Sequence, residues 1–157
     1  MKGGEDVEIR EYCEGDIQEI VELFFNTVHG VCNRDYTQEQ LDAWAGPVNA
    51  DQWNPVFLEH DTLVAAEDGN IVGFGDIDST GYLDHLFVHK DYQGQGIATA
   101  LCDRLESRFL VNTITTHASI TAKPFFEARG YGVVREQQVM RRGVVLTNYV
   151  MEKPVKG

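Results

Sequence analysis

The chain has 157 residues and a formal net charge of −12, with 13 Lys and Arg against 25 Asp and Glu. A chain of this length predicts one domain, residues 1–157, that buries roughly two thirds of its unfolded surface. The acidic balance argues against a nucleic-acid or anionic-membrane partner, since both are bound by clustered basic side chains. A cationic acceptor such as an amine remains open, with a merely solvated acidic surface as the alternative.

The N-terminus and the cysteines indicate the cellular compartment. Residues 1–6 include charged side chains and lack the apolar core of a signal peptide, and no apolar run approaches membrane-spanning length. We therefore expect a cytoplasmic protein. Cys13, Cys32 and Cys102 form no C-x-x-C pair, so neither a disulfide framework nor a zinc site is expected. The five histidines show no ligand spacing either, so no metal is expected.

The N-terminal third predicts one strand and two helices. Residues 7–12 alternate apolar and polar side chains, as a strand does. Residues 16–28 begin with a helix-start signal and continue as an amphipathic stripe. Residues 37–44 repeat this pattern in a shorter helix. The following stretch, 47–55, is bracketed by prolines and is predicted to be irregular.

The remainder of the chain predicts mainly strands. The predicted elements are strands at 62–67, 71–77 and 82–88, a helix at 97–109, a strand at 113–117, a brief helix from 121 to Gly130, and strands at 132–140 and 144–151. Pro124 falls in the first turn of the brief helix, where proline is favoured. This order predicts an α+β protein with a mixed, largely antiparallel sheet flanked by helices.

The segment between the strand at 82–88 and the helix at 97–109 is the strongest functional signal. Gly94 and Gly96 lack the Cβ that would keep a ligand from the main chain, and the first helical turn leaves N–H donors without internal partners. These donors and the helix dipole favour phosphate. The segment is neither a P-loop, because no Lys follows Gly96, nor a dinucleotide fingerprint, because no acidic residue closes the strand at 113–117.

The pattern Gln93-x-x-Gly96-x-Ala98 resembles the coenzyme A pyrophosphate signature, Gln/Arg-x-x-Gly-x-Gly/Ala, of the GCN5-related N-acetyltransferase (GNAT) superfamily. Residues 118–131 resemble the superfamily's later segment, in which a small helix ends in Phe-Tyr-x-x-x-Gly-Phe/Tyr. The predicted order of elements is also that of the acyl-CoA N-acyltransferase (GNAT) fold. The N-terminal third resembles the family only in outline.

The resemblance implies acetyl-CoA as co-substrate and a set of residues that hold it. The pantetheine arm would lie beside the end of the strand at 82–88, and the pyrophosphate would lie in the loop that follows. The implied cofactor residues are Leu86, Phe87, Val88, Gln93, Gly94, Gln95, Gly96, Ile97, Ala98 and Thr99. Gln93 would contribute its side-chain amide. Neutral donors of this kind let a strongly acidic protein bind an anionic cofactor.

Acyl transfer to an amine needs a base for the ammonium proton, dipoles for the oxyanion and an acid for the departing thiolate. Strict alternation along the strand places Tyr82, Asp84 and Leu86 on one face and His85 on the other. Asp84 is therefore the candidate base, on the face from which family members often project one. The alternative is a carboxylate that caps a turn or pairs with a cation. His85 titrates nearer neutrality but is expected to point away.

The candidate acid is where the chain departs from the family's pattern. Many relatives carry Tyr at the position of Phe126, and a phenyl ring has no proton to give. His117, expected to end a strand facing the cofactor gap, Tyr131 and Tyr149 are candidates in its place, as is water. The alternatives are a capped strand end for His117 and a core tyrosine for Tyr131.

These features predict an N-acetyltransferase that moves an acetyl group from acetyl-CoA to a primary amine of a small molecule or peptide, by direct transfer in a ternary complex. Tyr36, Trp44 and Trp53 are candidate walls of the acceptor pocket or, alternatively, core anchors. Two rival hypotheses are a non-catalytic acyl-CoA-binding module, suggested by Phe126, and a partner-binding protein that uses its acidic surface. A homodimer through the strand at 144–151 is also open.

Overall fold

The computed structural model describes residues 7–47 and 49–155. The helices and strands are β1 (Glu8–Glu11), α1 (Ile17–Val31), α2 (Gln38–Trp44), α3 (Ala50–Glu59), β2 (Asp61–Glu67), β3 (Asn70–Ile77), β4 (Tyr82–Val88), α4 (Ile97–Leu105), β5 (Thr113–Ser119), α5 (Lys123–Ala128), β6 (Gly132–Arg141) and β7 (Val144–Pro154). None of the helices in these ranges combines the length and the apolarity that a bilayer crossing requires.

Seven strands form one sheet in the order β1-β2-β3-β4-β5-β7-β6. All neighbouring strands run antiparallel except β4 and β5, which are parallel. This arrangement confirms the predicted mixed, largely antiparallel sheet with flanking helices. The position of the one parallel pair matters most for function, because β4 leads directly into the glycine-bearing loop.

Apolar side chains cover both faces of the sheet. On one face α4 contributes Ile97, Leu101 and Leu105, each at most 3% exposed. On the other face, α1, α2 and α3 form a second cluster that includes Phe24 and Phe57. The strands contribute side chains to both clusters because successive side chains point to opposite faces of the sheet. The sheet therefore holds α4 on one face and the three N-terminal helices on the other.

The stretch predicted to be irregular between the first two prolines is largely the helix α3, so that prediction is wrong. The side chain of Asn49 caps this helix and accepts from the N–H of Asp51 at 2.9 Å. Pro55 lies inside the helix, where its ring removes one internal hydrogen bond. Trp53 and Phe57 meet edge to face at 5.5 Å between ring centroids and pack toward the sheet. Tertiary packing of this face outweighs the loss at Pro55.

Two boundaries and the place of the last strand bear on the predicted site and dimer. Helix α4 ends at Leu105 rather than at 109, and β5 continues to Ser119, so His117 lies inside the strand and not at its end. Strand β7 lies between β5 and β6 and is paired on both sides. The segment 144–151 therefore offers no free edge for a homodimer, and β6 is the edge strand at this end of the sheet.

We expect Phe57→Ala to lower the free energy of unfolding by about 3–5 kcal/mol, because it leaves a cavity in the core. Phe57 is 2% exposed and its ring contacts those of Tyr12, Phe74 and His85. Urea denaturation followed by circular dichroism measures the change. The neighbouring Leu58, which is 55% exposed, provides the control, since Leu58→Ala should stay within about 0.5 kcal/mol of the parent protein. Equal losses would contradict this packing.

Candidate active site

Strands β4 and β5 pair over only two positions and then separate. Tyr82 pairs with Thr115 and Leu83 with Thr116. Beyond these pairs a cleft of about 200 Å³ lies between the two strands and is closed on one side by α5. Strands that stop pairing leave main-chain N–H and C=O groups that need other partners. The cleft therefore presents backbone donors and acceptors to a ligand that lies along β4.

The loop after β4 opens a second space of about 170 Å³ beside the cleft. Gly94 and Gly96 border it and have φ angles of 73° and 81°, a region that favours glycine. Gly96 is the N-cap of α4, and no side chain of residues 7–47 and 49–155 caps this helix end. A Cβ on either glycine would meet no heavy atom within 4 Å. The first N–H groups of α4 are thus available to an anion.

Most residues named as cofactor contacts line one of these two spaces. The lining residues are Leu86, Phe87, Val88, Gln93, Gly94, Gly96, Ile97, Ala98 and Thr99. Gln95 is absent from both linings, and its Nε2 lies 3.5 Å from the Asp91 carbonyl. The Nε2 of Gln93 donates to the Val88 carbonyl at 2.6 Å. The amide of Gln93 therefore ties the loop to the end of β4, and its expected contact with pyrophosphate stays a prediction.

A β-bulge in β4 decides where the candidate base points. The register with β3 shifts from Asp76 opposite His85 to Ile77 opposite Leu83, which leaves Asp84 as the extra residue. A bulge breaks the alternation of side chains between faces. Asp84 Oδ2 consequently lies 3.7 Å from His85 Nδ1. The prediction that His85 points away from Asp84 is wrong.

An aromatic pocket of about 240 Å³ lies next to the cleft. Its ring-bearing walls are Phe24, Tyr36, Trp44, Trp53, Tyr82 and Phe87. Five residues line both the cleft and this pocket: Trp44, Asp84, Phe87, His117 and Ser119. Arg141 and Asn148 line the pocket alone. Molecules in the two spaces would therefore meet beside Asp84 and His117, the titratable residues of the shared set. Tyr36, Trp44 and Trp53, the aromatic residues named from the sequence, all line this pocket. Trp53 is also a core anchor, since its ring packs on that of Phe24 at 4.9 Å.

The buried carboxylate of Asp76 holds His85, which lines the pocket, and the neighbouring His60 by hydrogen bonds. Asp76 is fully buried, and its Oδ1 accepts from the main-chain N–H and the ring Nδ1 of His85 at 2.8 and 2.9 Å. Its Oδ2 lies 2.8 Å from His60 Nδ1. Although burial acts to raise it, these hydrogen bonds hold the pKa of Asp76 below its ordinary value. An ionised Asp76 can only accept, so both imidazoles carry their proton on Nδ1.

The same network sets the charge of the candidate base. Burial, followed by repulsion from Asp76 and Asp78, raises the pKa of Asp84 despite the attraction of His85 and His60. The hydrogen bond to Asp76 raises the pKa of His60. Burial acts to lower the pKa of His85, but the hydrogen bond to Asp76 and the nearby carboxylates raise it overall. A carboxyl whose pKa moves upward is a better proton acceptor at neutral pH than an ordinary one.

The sequence did not reveal that His60, Asp76 and Asp84 converge. Their potential ligand atoms all lie within 4.8 Å of one another. Both oxygens of Asp76 already receive imidazole N–H groups, which makes the group a hydrogen-bonded network rather than an open set of metal ligands. One signal was present in the sequence: Asp76 is a lone carboxylate within the apolar run of β3, and such a residue requires buried partners.

The candidate acids occupy different surroundings. The Tyr131 hydroxyl donates to Glu106 Oε2 at 2.7 Å, and its ring is 3% exposed against Phe126. Tyr131 thus lies in the core, as its alternative interpretation expects, and we withdraw it as a candidate acid. Tyr149 lines neither the cleft nor the aromatic pocket, and Lys123 Nζ lies 5.1 Å from its ring centroid. Of the three side chains, His117 alone lines the cleft.

The surroundings of His117 favour its neutral form. Burial and the positive charges of Arg135 and Arg141 lower the pKa of its ring. The ring packs against Tyr82 at 5.2 Å, and its Nδ1 lies 3.5 Å from the Gln137 amide. A neutral imidazole can donate a hydrogen bond to a departing thiolate, but it is not an imidazolium acid.

Comparison with known proteins identifies the family. A model of the acetyltransferase (GNAT) domain matches residues 32–153. The uncharacterized N-acetyltransferase YafP of Escherichia coli (strain K12) is 35% identical over 147 residues, which cover 93% of this chain and 95% of YafP. The chain belongs to the GNAT family. The predicted family resemblance is thereby confirmed, and the protein is an acyltransferase of this family.

Solved structures confirm the GNAT fold. A GCN5-related N-acetyltransferase from Rhodopseudomonas palustris superposes with a TM-score of 0.86 at 30% identity, over 99% of both chains. The PaiA N-acetyltransferase from Thermoplasma acidophilum, in complex with coenzyme A, has a TM-score of 0.76 at 15% identity. That alignment covers 95% of this chain and 99% of PaiA.

We expect Gly96→Val to raise the dissociation constant of coenzyme A by about tenfold or more, because the side chain would fill the space beside the α4 N-terminus and block charge-assisted hydrogen bonds. Isothermal titration measures the constant. Gly69→Val is a matched control, since Gly69 has a φ of 82° and equally open surroundings but lies in the β2–β3 turn. Equal effects of the two variants would show that backbone strain, not the anion site, is responsible.

Proposed function

We propose that this GNAT-family protein transfers an acetyl group from acetyl-CoA directly to the primary amine of a small molecule or peptide. The observation that carries the proposal is the meeting of the cleft and the aromatic pocket at Asp84 and His117. Two connected spaces allow both substrates to bind together. The amine nitrogen then attacks the thioester carbon, the C–S bond breaks, and no acyl-enzyme step is required.

Acetyl-CoA is the co-substrate. The backbone of Leu86, Phe87 and Val88 would pair with the pantetheine arm where β4 leaves β5. The N–H groups around Gly96 would bind the diphosphate with neutral donors and the helix dipole. The PaiA complex with coenzyme A supports this assignment through the shared fold.

Asp84 is the base in this proposal. Its carboxylate borders both spaces, and its raised pKa suits acceptance of the ammonium proton near neutral pH. Asp76, His60 and His85 are positioning residues that fix the environment of Asp84 through their hydrogen bonds. The departing sulfur leaves as thiolate, with the neutral ring of His117 as a hydrogen-bond donor beside it.

The cysteines support direct transfer. Cys32 lines the cleft, but burial raises the pKa of its thiol, so it is not an activated nucleophile. Cys13, Cys32 and Cys102 are all free thiols. Free thiols are typical of a reducing compartment, which supports a cytoplasmic location as part of this proposal.

One observation favours a second function, a non-catalytic acyl-CoA-binding module. Phe126 replaces the tyrosine of many relatives, is 3% exposed and has no proton to give. Release of free thiol from acetyl-CoA across a panel of primary amines distinguishes the two functions. A pure binding module would show no release above the rate without protein.

We expect Asp84→Asn to lower kcat/KM by about a hundredfold or more, because the amide cannot accept the ammonium proton. Coenzyme A affinity should stay near that of the parent protein, since the N–H groups of the loop remain. Asp68→Asn is the control, because Asp68 makes the same charge change in the β2–β3 turn and asparagine tolerates its φ of 52°. Full activity of Asp84→Asn would remove Asp84 from the mechanism.

The pH dependence of kcat/KM provides a separate test of the same base. The rate should fall with decreasing pH as Asp84 is protonated, with a midpoint above the ordinary carboxyl pKa of about 3.9 because its pKa is raised. Asp84→Asn should lose this acidic limb while the amine's own titration at higher pH remains. An unchanged limb in the variant would assign the titration to another group.

A further inference from the structure

We propose that the acceptor is a small zwitterionic amine in which an aromatic or other apolar body separates the ammonium from an anionic group. This inference deepens the proposed function and rests on it. The two charged ends are recognised by Asp84, where the pocket meets the cleft, and by Arg141, which lines the pocket alone.

Arg141 is a cation available for a ligand. Within residues 7–47 and 49–155 its guanidinium has no ion-pair partner, and its one hydrogen bond goes to the neighbouring Met140 carbonyl at 3.2 Å. Its charge reaches the pocket, because it lowers the pKa of His117 and opposes the rise in the pKa of Tyr82. In a chain of net charge −12, a cation at this position is selective for an anion.

Arg141 ends β6, directly before a turn that is anchored to the helical layer. The guanidinium of Arg142 donates to the carbonyls of Ala43 and Pro47 at 2.8 and 2.7 Å. These bonds hold the β6–β7 turn against the end of α2. The backbone at Arg141 is therefore held beside the pocket, which reduces the entropy lost when its side chain binds a carboxylate.

The ammonium end of the ligand is recognised by more than one acceptor. Asn148 Oδ1 is buried and receives no hydrogen bond from the part of the chain that the structure describes, although Asn148 lines the pocket. Buried polar atoms are nearly always partnered in folded proteins. A ligand with several N–H donors, such as an ammonium, supplies the partner that this oxygen lacks. Aromatic faces such as Trp44 and Trp53 stabilise the same cation.

The size and order of these groups define the class of ligand. A volume of about 240 Å³ fits a single small molecule. Asp84 borders the cleft and Arg141 does not, so an ammonium in position for acetyl transfer directs the anionic group away from the thioester. The aromatic side chains of the same pocket suit an aromatic body.

A matched pair of ligands tests the inference. 4-(Aminomethyl)benzoate carries the carboxylate opposite the ammonium, and benzylamine lacks it. In the presence of coenzyme A, quenching of tryptophan fluorescence reports binding, since both Trp44 and Trp53 line the pocket. We expect the parent protein to bind 4-(aminomethyl)benzoate about tenfold or more tightly than benzylamine, the effect of one charge-assisted pair. Equal affinities, or no saturable binding, would overturn the proposal.

Variants of two exposed arginines locate the preference. Arg141→Gln should reduce the ratio of affinities to about one by weakening only 4-(aminomethyl)benzoate, and Arg141→Lys should restore part of it. Arg34→Gln is the matched control, because Arg34 is exposed and makes the same charge change but lines neither the pocket nor the cleft. A preference that survives Arg141→Gln, or disappears in Arg34→Gln, would refute the role of Arg141.

Turnover of the same ligands separates this inference from the proposed function. Acetylation of both amines with equal kcat/KM would support the acetyltransferase and overturn the zwitterion preference. A binding preference that depends on Arg141 without release of thiol would support the acceptor class and overturn the catalytic function.

Discussion

The early separation of β4 from β5 is the constraint on which the functional architecture depends. The two strands are the one parallel pair within the described sheet, and they pair only at Tyr82 and Leu83. The next residue, Asp84, is the extra residue of the bulge against β3. One local irregularity thus coincides with the opening of the cleft and turns a carboxylate toward the space where two substrates would meet.

The two ends of the site stabilise negative charge with different groups. At the loop, the protein offers main-chain N–H groups and a helix N-terminus, so anion binding requires no basic side chain. Below the pocket, the buried carboxylate of Asp76 is stabilised by two imidazoles. That arrangement orients His60 and His85, and it leaves Asp84 as the carboxyl whose pKa rises. Neighbouring carboxylates acquire different roles because their surroundings differ.

Much of the fold and the loop could be predicted because their signals are local. Hairpin residues, capping pairs and the 3.6-residue spacing of α4 are short-range patterns. Gly94 and Gly96 likewise indicate a backbone with positive φ angles. The helix α3 was missed because two prolines suggested a break, whereas the packing of Trp53 and Phe57 against distant residues decides the conformation. Propensity yields to tertiary contacts in such cases.

The sequence by itself determined the family, the order of the elements other than α3, and the position of the glycine-bearing loop, since each depends on residues close together along the chain. Only the tertiary structure decided which side chains share the pocket. His60, Asp76, Arg141 and Asn148 come from separate elements, and the bulge cancels the alternation that seemed to separate Asp84 from His85. The core position of Tyr131 likewise follows from Glu106 on another segment. Long-range register and packing fix these contacts, and no short sequence pattern encodes them.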